Sequence, residues 1–150
     1  MQSTNLKRCL EIQMPIRVRT YDIDSAGHVS NIAYLRWMED MRLQIFIEHF
    51  SLESLMQKEC TPVLANTYIE YKKPIKLFDN PVGHMWISRI GSASLKFEGE
   101  ILVNGTVATT VSHTGVFVDS TTMRPVKLPE MLVEKFREAE GEISCHPATK

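Results

Sequence analysis

The chain contains 150 residues, of which 43% are apolar and 23% charged, a composition typical of a folded soluble protein and unlike that of disordered or fibrous chains. The formal net charge is −1, which offers no basic surface for nucleic acid, and no apolar run approaches the roughly 18 residues that cross a membrane. We therefore expect one domain over residues 1–150, with a core from about residue 14 to 140.

The cellular compartment is predicted from the N-terminus and the cysteines. Met1–Glu11 lacks the apolar segment of a signal peptide, which favours a cytoplasmic protein. Cys9, Cys60 and Cys145 are widely spaced and form no CxxC motif, so they are interpreted as reduced thiols and not as disulfides or zinc ligands.

The first half of the chain predicts a strand followed by a long helix. Residues 1–14 are polar and mixed, and are interpreted as a loose arm. Ile16–Tyr21 alternates apolar and polar residues, as a half-buried strand does, and Asp22–His28 is rich in turn formers. A helix is predicted from Asn31 to Phe50, capped by Ser30 or Asn31. It should be largely buried, because its apolar residues occupy most of its surface: Ile32, Leu35, Trp37, Met38, Met41, Leu43, Ile45, Phe46 and Ile47.

The second half of the chain predicts antiparallel strands and a terminal helix. Asn104-Gly105 is a hairpin turn sequence between two of the four predicted strands, which are Thr61–Tyr71, Val82–Ile90, Leu95–Val103 and Thr106–Val118. Pro129 opens a short amphipathic helix that places Met131, Leu132 and Phe136 inward and ends at Gly141. A helix followed by strands joined in hairpins indicates an α+β fold with an antiparallel sheet.

The segment Asp22–Asn31 concentrates the reactive groups. Asp22, Asp24 and His28 precede the predicted helix, whose N-terminus carries unpaired N–H groups and a positive dipole. Such an end stabilises an oxyanion, and a carboxylate attacks a carbonyl or activates water. From residue types alone, such aspartates are more often turn formers or helix N-terminal charges, and His28 is more often a surface residue or a structural hydrogen-bonder. A calcium loop is disfavoured because it would need oxygen ligands where Ala26 and Ala33 stand.

The same segment resembles the signature of the hotdog-fold acyl-CoA thioesterases of the 4-hydroxybenzoyl-CoA thioesterase type. Tyr21–Glu39 follows the family pattern D-x-D-x-x-G-H-V-N-N-x-x-Y-x-x-x-x-E, with Ser30 in place of the first asparagine. Weaker resemblances occur at Tyr68–Ile75, Ile90–Leu95 and Thr122–Val126. The resemblance implies an α+β hotdog fold, in which a five-stranded curved antiparallel sheet wraps around one long helix, with a short C-terminal helix.

The resemblance also implies roles for individual residues. Asp24 matches the catalytic carboxylate, which is a nucleophile in some members and a general base in others, and His28 matches a site imidazole. In the plant acyl-carrier-protein thioesterases the motif has an asparagine that falls here on Ala26. The N–H near Asn31 matches the donor to the thioester carbonyl. The predicted substrate-binding residues are Asn31, Tyr34, Asn66 from a neighbouring subunit, Ser92 and Ser94.

The function predicted from the sequence is hydrolysis of an acyl-CoA, with acyl-carrier protein as another possible carrier of the acyl group. The alternatives are a hotdog hydratase or dehydratase and a non-catalytic acyl-CoA-binding protein. The D-x-N-P-x-H pattern of the lyases is absent, and Asp24 is present, which disfavours both. No metal or redox cofactor is expected, because a carboxylate and a helix end supply the chemistry. Exposed sheet edges and the resemblance predict a homodimer or homotetramer.

Overall fold

The computed structural model describes residues 8–56 and 59–144. Its strands and helices follow one another in the predicted order, apart from one additional short helix. The elements that build the sheet and its helices are β1 (Ile12–Pro15), α1 (Asn31–His49), α2 (Leu52–Met56), β2 (Cys60–Tyr71), β3 (Val82–Ile90), β4 (Ser94–Val103), β5 (Thr106–Asp119) and α3 (Glu130–Ser144). The five strands form one antiparallel sheet in the order β1-β3-β4-β5-β2. The predicted α+β fold, with one long helix and a short C-terminal helix, is confirmed.

The first strand lies earlier in the chain than predicted. Ile12–Pro15 pairs with β3, from Ile12 opposite Met85 to Pro15 opposite Val82. The prediction of a loose arm is therefore wrong from Ile12 onward, where the chain forms a strand. Ile16 makes one more bond, from its N–H to the Pro81 carbonyl at 2.9 Å. The predicted strand Ile16–Tyr21 does not form, because β3 begins at Val82 and has no residues before that point with which Arg17–Tyr21 could pair. A short 3-10 turn at Thr20–Asp22 follows instead.

One face of α1 packs on the concave side of the sheet. Its buried residues are Ala33, Tyr34, Trp37, Met38, Met41, Ile45 and Phe46. Gly83 of β3 permits this close approach, since a Cβ there would collide with Met41 Sδ. The prediction of a largely buried helix is wrong for a single chain, because Ile32 and Ile47 remain 62% and 59% exposed.

The C-terminal helix covers one end of α1. Leu132 and Phe136 are buried as predicted, and the Lys135 ammonium donates to the carbonyl of His49. The predicted end at Gly141 is wrong, because the helix continues to Ser144. The short helix Leu52–Met56 has no counterpart among the predicted elements, and Cys145 lies outside the described residues. Within residues 8–56 and 59–144, no helix has the length and apolarity required to cross a membrane.

Candidate active site

The loop before α1 is closed by its own backbone. Ile23 and Val29 form an antiparallel bridge, and the Val29 N–H donates to the Ile75 carbonyl at 2.8 Å. Asp22 is buried, with 5% exposure; its Oδ2 accepts from the Arg19 N–H at 2.8 Å, and its carbonyl accepts from the Ser30 N–H at 2.7 Å. Asp22 therefore holds the loop together and is not available for chemistry.

Asp24 has a different environment two residues later. Its side chain is exposed, and Oδ1 accepts from the N–H groups of Ala26 and His28 at 2.9 and 3.2 Å. The Asp24 N–H donates to the His28 carbonyl at 2.8 Å, and Gly27 donates back to the Asp24 carbonyl at 3.1 Å. Gly27 has φ +77°, a conformation that favours glycine. Among the described residues Oδ2 has no hydrogen-bond partner, so the loop fixes the carboxylate and leaves one oxygen free.

Two backbone donors lie at the start of α1. Ser30 has the extended N-cap conformation, φ −76° and ψ 155°, but its hydroxyl makes no capping bond. The N–H groups of Ala33 and Tyr34 donate to the Ser30 carbonyl at 3.0 and 3.4 Å. No acceptor among the described residues pairs with the N–H groups of Asn31 and Ile32, which are the donors that a helix end presents to an anion.

Tyr34 and His28 flank these groups. Tyr34 is 2% exposed and packs edge-on against Trp37 and Tyr71, with centroid distances of 5.4 and 5.0 Å. Burial is the main cause that raises the pKa of the Tyr34 phenol, and the charge of Asp24 raises it further. His28 is half-buried, and its ring has no hydrogen-bond partner in the described part of the chain. Asp24 is thus bonded to the backbone of His28 and its charge acts on the Tyr34 phenol, while Asn31 is the first residue of the helix that follows.

Asn66, Ser92 and Ser94 lie away from this group within one chain. Tyr34 contacts the end of the sheet where Tyr71 pairs with Thr109. Asn66 pairs with Thr114 and Ser94 with Val116, which at 3.3 Å per residue lie about 17 and 23 Å further along β5.

Asn66 also lies on the outer face of the sheet. Its partner Thr114 alternates with the buried His113, and cross-strand partners share a face. Ser92 is exposed in the β3–β4 turn, and its carbonyl accepts from the Leu128 N–H at 2.9 Å. The binding roles of these three residues remain predictions.

A second polar cluster lies inside the fold and is absent from the sequence-based prediction. Arg42 Nη1 and Thr67 Oγ1 each lie 3.5 Å from Nδ1 of His113, which is 2% exposed. In the sequence His113 stands between Ser112 and Thr114 of a strand, a context in which a histidine is more often part of the core or the surface than catalytic. In residues 8–56 and 59–144, no group of three or more His, Cys, Asp or Glu side chains is arranged to hold a metal ion.

An antiparallel sheet wrapped around one long helix is the fold of the hotdog thioesterases. The model of the thioesterase-like superfamily matches residues 18–136, and the chain belongs to this family of thioester hydrolases.

The chain is 29% identical over 126 residues to the acyl-CoA thioester hydrolase YbgC of Escherichia coli O6:H1, an alignment that covers 83% of this chain and 94% of that protein. Two solved structures share its fold at a TM-score of 0.76. A thioesterase from Thermus thermophilus, complexed with coenzyme A and Zn, is 29% identical and aligns over 91% of this chain and 98% of its own. The probable thioesterase YbaW of Escherichia coli is 26% identical, with coverages of 85% and 97%.

Proposed function

We propose that the protein hydrolyses acyl-CoA thioesters, with Asp24 as the nucleophile or general base and the start of α1 as the oxyanion hole. The observation that carries this proposal is the Asp24 carboxylate, whose Oδ1 is held by two loop N–H groups while Oδ2 is unpaired among the described residues. A fixed carboxylate with one free oxygen is pre-organised for attack or for proton removal. The name of YbgC and the coenzyme A bound by the Thermus thioesterase support an acyl-CoA substrate.

The reaction requires a reactive carboxylate and donors to an oxyanion, roles that this proposal gives to Asp24 and to the start of α1. In the nucleophilic route, Asp24 Oδ2 attacks the thioester carbon, the C–S bond breaks, and coenzyme A leaves as a thiolate that takes a proton from water. Water then cleaves the mixed anhydride. In the general-base route, Asp24 removes a proton from water as the water attacks, and that proton passes to the leaving thiolate. Both routes place negative charge on the carbonyl oxygen, which the N–H groups of Asn31 and Ile32 would stabilise.

The proposed site is completed by a second copy of the chain. Apolar side chains remain exposed on α1 and along the edge strand β2, where Leu64 and Tyr68 are 45% and 65% exposed. Burial of these residues in a two-fold homodimer, alone or within a homotetramer, would remove both the exposed apolar surface and the unpaired edge. It would also bring residues of the neighbouring β2, such as Asn66, toward the Asp24 loop.

The test is hydrolysis of a panel of acyl-CoAs, measured by the release of free thiol. We expect Asp24→Asn to lower kcat by at least about a hundredfold, the lower range of acid–base contributions, with KM little changed. The matched control is Asp22→Asn, which weakens the bond to the Arg19 N–H and should lower stability more than rate. Near-normal kcat in Asp24→Asn would overturn the assignment.

A further inference from the structure

A cavity of ≈ 260 Å³ lies between the second half of α1 and the sheet. Its walls are apolar for the most part and come from α1, α2, β4 and β5: Leu43, Phe46, Met56, Leu95, Phe97 and Phe117. Residues 61–64 of the edge strand β2 complete the lining. A concave, apolar space with few polar groups is the usual form of a small-molecule site.

Arg42 is the one cation that lines this cavity within the described residues, and it is poorly paired. Its Nη2 lies 3.7 Å from Oε1 of Glu39, whose side chain is 73% exposed, and its Nη1 lies 3.5 Å from His113 Nδ1. Burial lowers the pKa of Arg42. A guanidinium carries five N–H donors in a fixed plane, so these two long contacts leave donors available at the cavity wall.

His113 lies next to the same wall. It pairs with Phe97 of β4 and alternates with Gly115 and Phe117 on the inward face of β5, and all three of these neighbours line the cavity. Burial lowers the pKa of His113 to about 4, so the ring is neutral at pH 7. Its buried Nε2 has no hydrogen-bond partner among the described residues. The lining of this largely apolar cavity includes Glu39, Thr61 and Arg42. Arg42 has unused donors there, and the unpaired Nε2 of His113 lies behind the wall.

We propose that this cavity, in the second copy whose β2 would approach the Asp24 loop, holds the acyl group of the thioester, and that Arg42 of that copy binds an oxygen atom carried by the acyl group. The inference rests on the proposed thioesterase function and specifies its substrate class: acyl chains that bear a hydroxyl or similar acceptor on an otherwise apolar chain. A plain hydrocarbon would bury, without a partner, the donors of Arg42 that the contacts with Glu39 and His113 leave available. A site built to bind an oxygen discriminates strongly against analogues that lack it.

The first test compares three CoA thioesters of equal chain length: octanoyl, 3-hydroxyoctanoyl and 8-hydroxyoctanoyl. We expect one hydroxylated chain to exceed octanoyl by about tenfold in kcat/KM, the scale of one charge-assisted hydrogen bond. Which of the two is preferred reports the direction in which the chain enters. Arg42→Met should abolish the preference and Arg42→Lys should retain part of it. Arg89→Met, at an exposed arginine of β3, should leave it intact.

The second test asks whether the cavity holds the chain at all. A Cβ at Gly115 would lie 3.4 Å from Phe97 Cε2 and 3.8 Å from the Val63 carbonyl, so Gly115→Ala fits without collision and narrows the space. We expect it to lower kcat/KM for octanoyl-CoA several-fold relative to butanoyl-CoA.

Three outcomes would overturn the inference: an unchanged octanoyl-to-butanoyl ratio in Gly115→Ala, no preference for a hydroxylated chain in the wild type, or a preference that survives Arg42→Met. If one of these outcomes occurs while the wild type hydrolyses octanoyl-CoA and Asp24→Asn does not, the proposed function stands and only this inference fails. If none of the acyl-CoAs is hydrolysed, both fail.

Discussion

At the scale of single residues, Asp22 and Asp24 show how position sets the role of a carboxylate. Asp22 is enclosed in the 3-10 turn, where it accepts from the Arg19 N–H. Asp24 is exposed and held through Oδ1 alone. Both side chains cap backbone N–H groups, as aspartates in turns do. Of the two, only Asp24 combines that fixation with an accessible oxygen, which makes it the candidate reactive carboxylate.

His28 is predicted to act through its ring. The ring has no partner in the described part of the chain, while the backbone of the residue closes the Asp24 loop. We expect His28→Ala to lose roughly tenfold or more in kcat/KM, the effect of one polar contact in the transition state. The loop backbone is retained in that variant, so the thermal midpoint serves as its control. Unchanged hydrolysis across several acyl-CoAs would make the histidine structural.

The buried His113 should make stability depend on pH. Its pKa is lowered from 6.5 to about 4 by burial and by Arg42. Above pH 6.5 the ring is neutral in both states and contributes no pH dependence. As the pH falls toward 4, the unfolded chain binds a proton that the folded chain does not, and the free energy of unfolding falls by up to about 3 kcal/mol. Below pH 4 this contribution is constant.

Urea denaturation at several pH values checks this expectation. The wild type should lose about 3 kcal/mol more than His113→Gln between pH 6.5 and 4, because glutamine retains hydrogen-bonding groups but does not titrate. Other titrating groups act in both proteins and cancel in the difference. If the free energy of unfolding changed with pH in the same way in both proteins, the His113 ring would be accessible to solvent in the folded state and the prediction would be wrong.

At the scale of elements, the sequence predicts what depends on local periodicity and turn chemistry. The ends of β3 and the Asn104-Gly105 hairpin agree with the structure, because alternation and a turn that tolerates positive φ are local properties. The predicted position of the first strand is wrong because its length is set by the start of β3, a distant partner.

The face of β2 could not be predicted for a similar reason. A bulge between Leu64 and Asn66 reverses the alternation beyond it. Thr67 therefore faces His113 on the helix side, while Asn66 lies on the outer face. The loop motif predicted the groups around Asp24, whereas the Arg42–His113 cluster, formed by residues far apart in sequence, left no motif.

Substitution of two glycines by alanine should change the stability of the protein in opposite directions, one in the β4–β5 hairpin and one in α3. Gly105 has φ +75° in the hairpin, and Gly141 lies within α3, where an added Cβ would have no atom within 4 Å. We expect Gly105→Ala to destabilise the protein by roughly 1–2 kcal/mol, and Gly141→Ala to stabilise it by roughly 0.5–1 kcal/mol. Urea denaturation measures both. A loss of stability in Gly141→Ala would contradict a helix that continues through this residue.

At the scale of the whole molecule, the exposed apolar stripe of α1 begins at the proposed site, and the edge strand β2 is a second surface that one chain leaves uncovered. The outward stripe of α1 exposes Ile32, Leu35, Leu43 and Ile47. The first turn of α1 carries the two N–H groups of the candidate oxyanion hole, which have no acceptor among residues 8–56 and 59–144. The edge strand β2 has no partner on its outer side within the described residues. A hydrophobic stripe beside an unpaired edge indicates an interface between protein chains, and a two-fold axis lets one such surface serve both copies.

We therefore expect a particle of at least about twice 17.2 kDa by light scattering. Leu35→Lys combined with Ile47→Lys should dissociate it, because four lysines would be buried across a two-fold interface. Activity should be lost together with the higher mass, since the site is proposed to need β2 of the second copy. Met123→Lys makes the same change at a 58% exposed residue of the loop after β5 and should alter neither property. A monomer that hydrolyses acyl-CoA at the full rate would remove the shared site, and the role proposed for Asn66 with it.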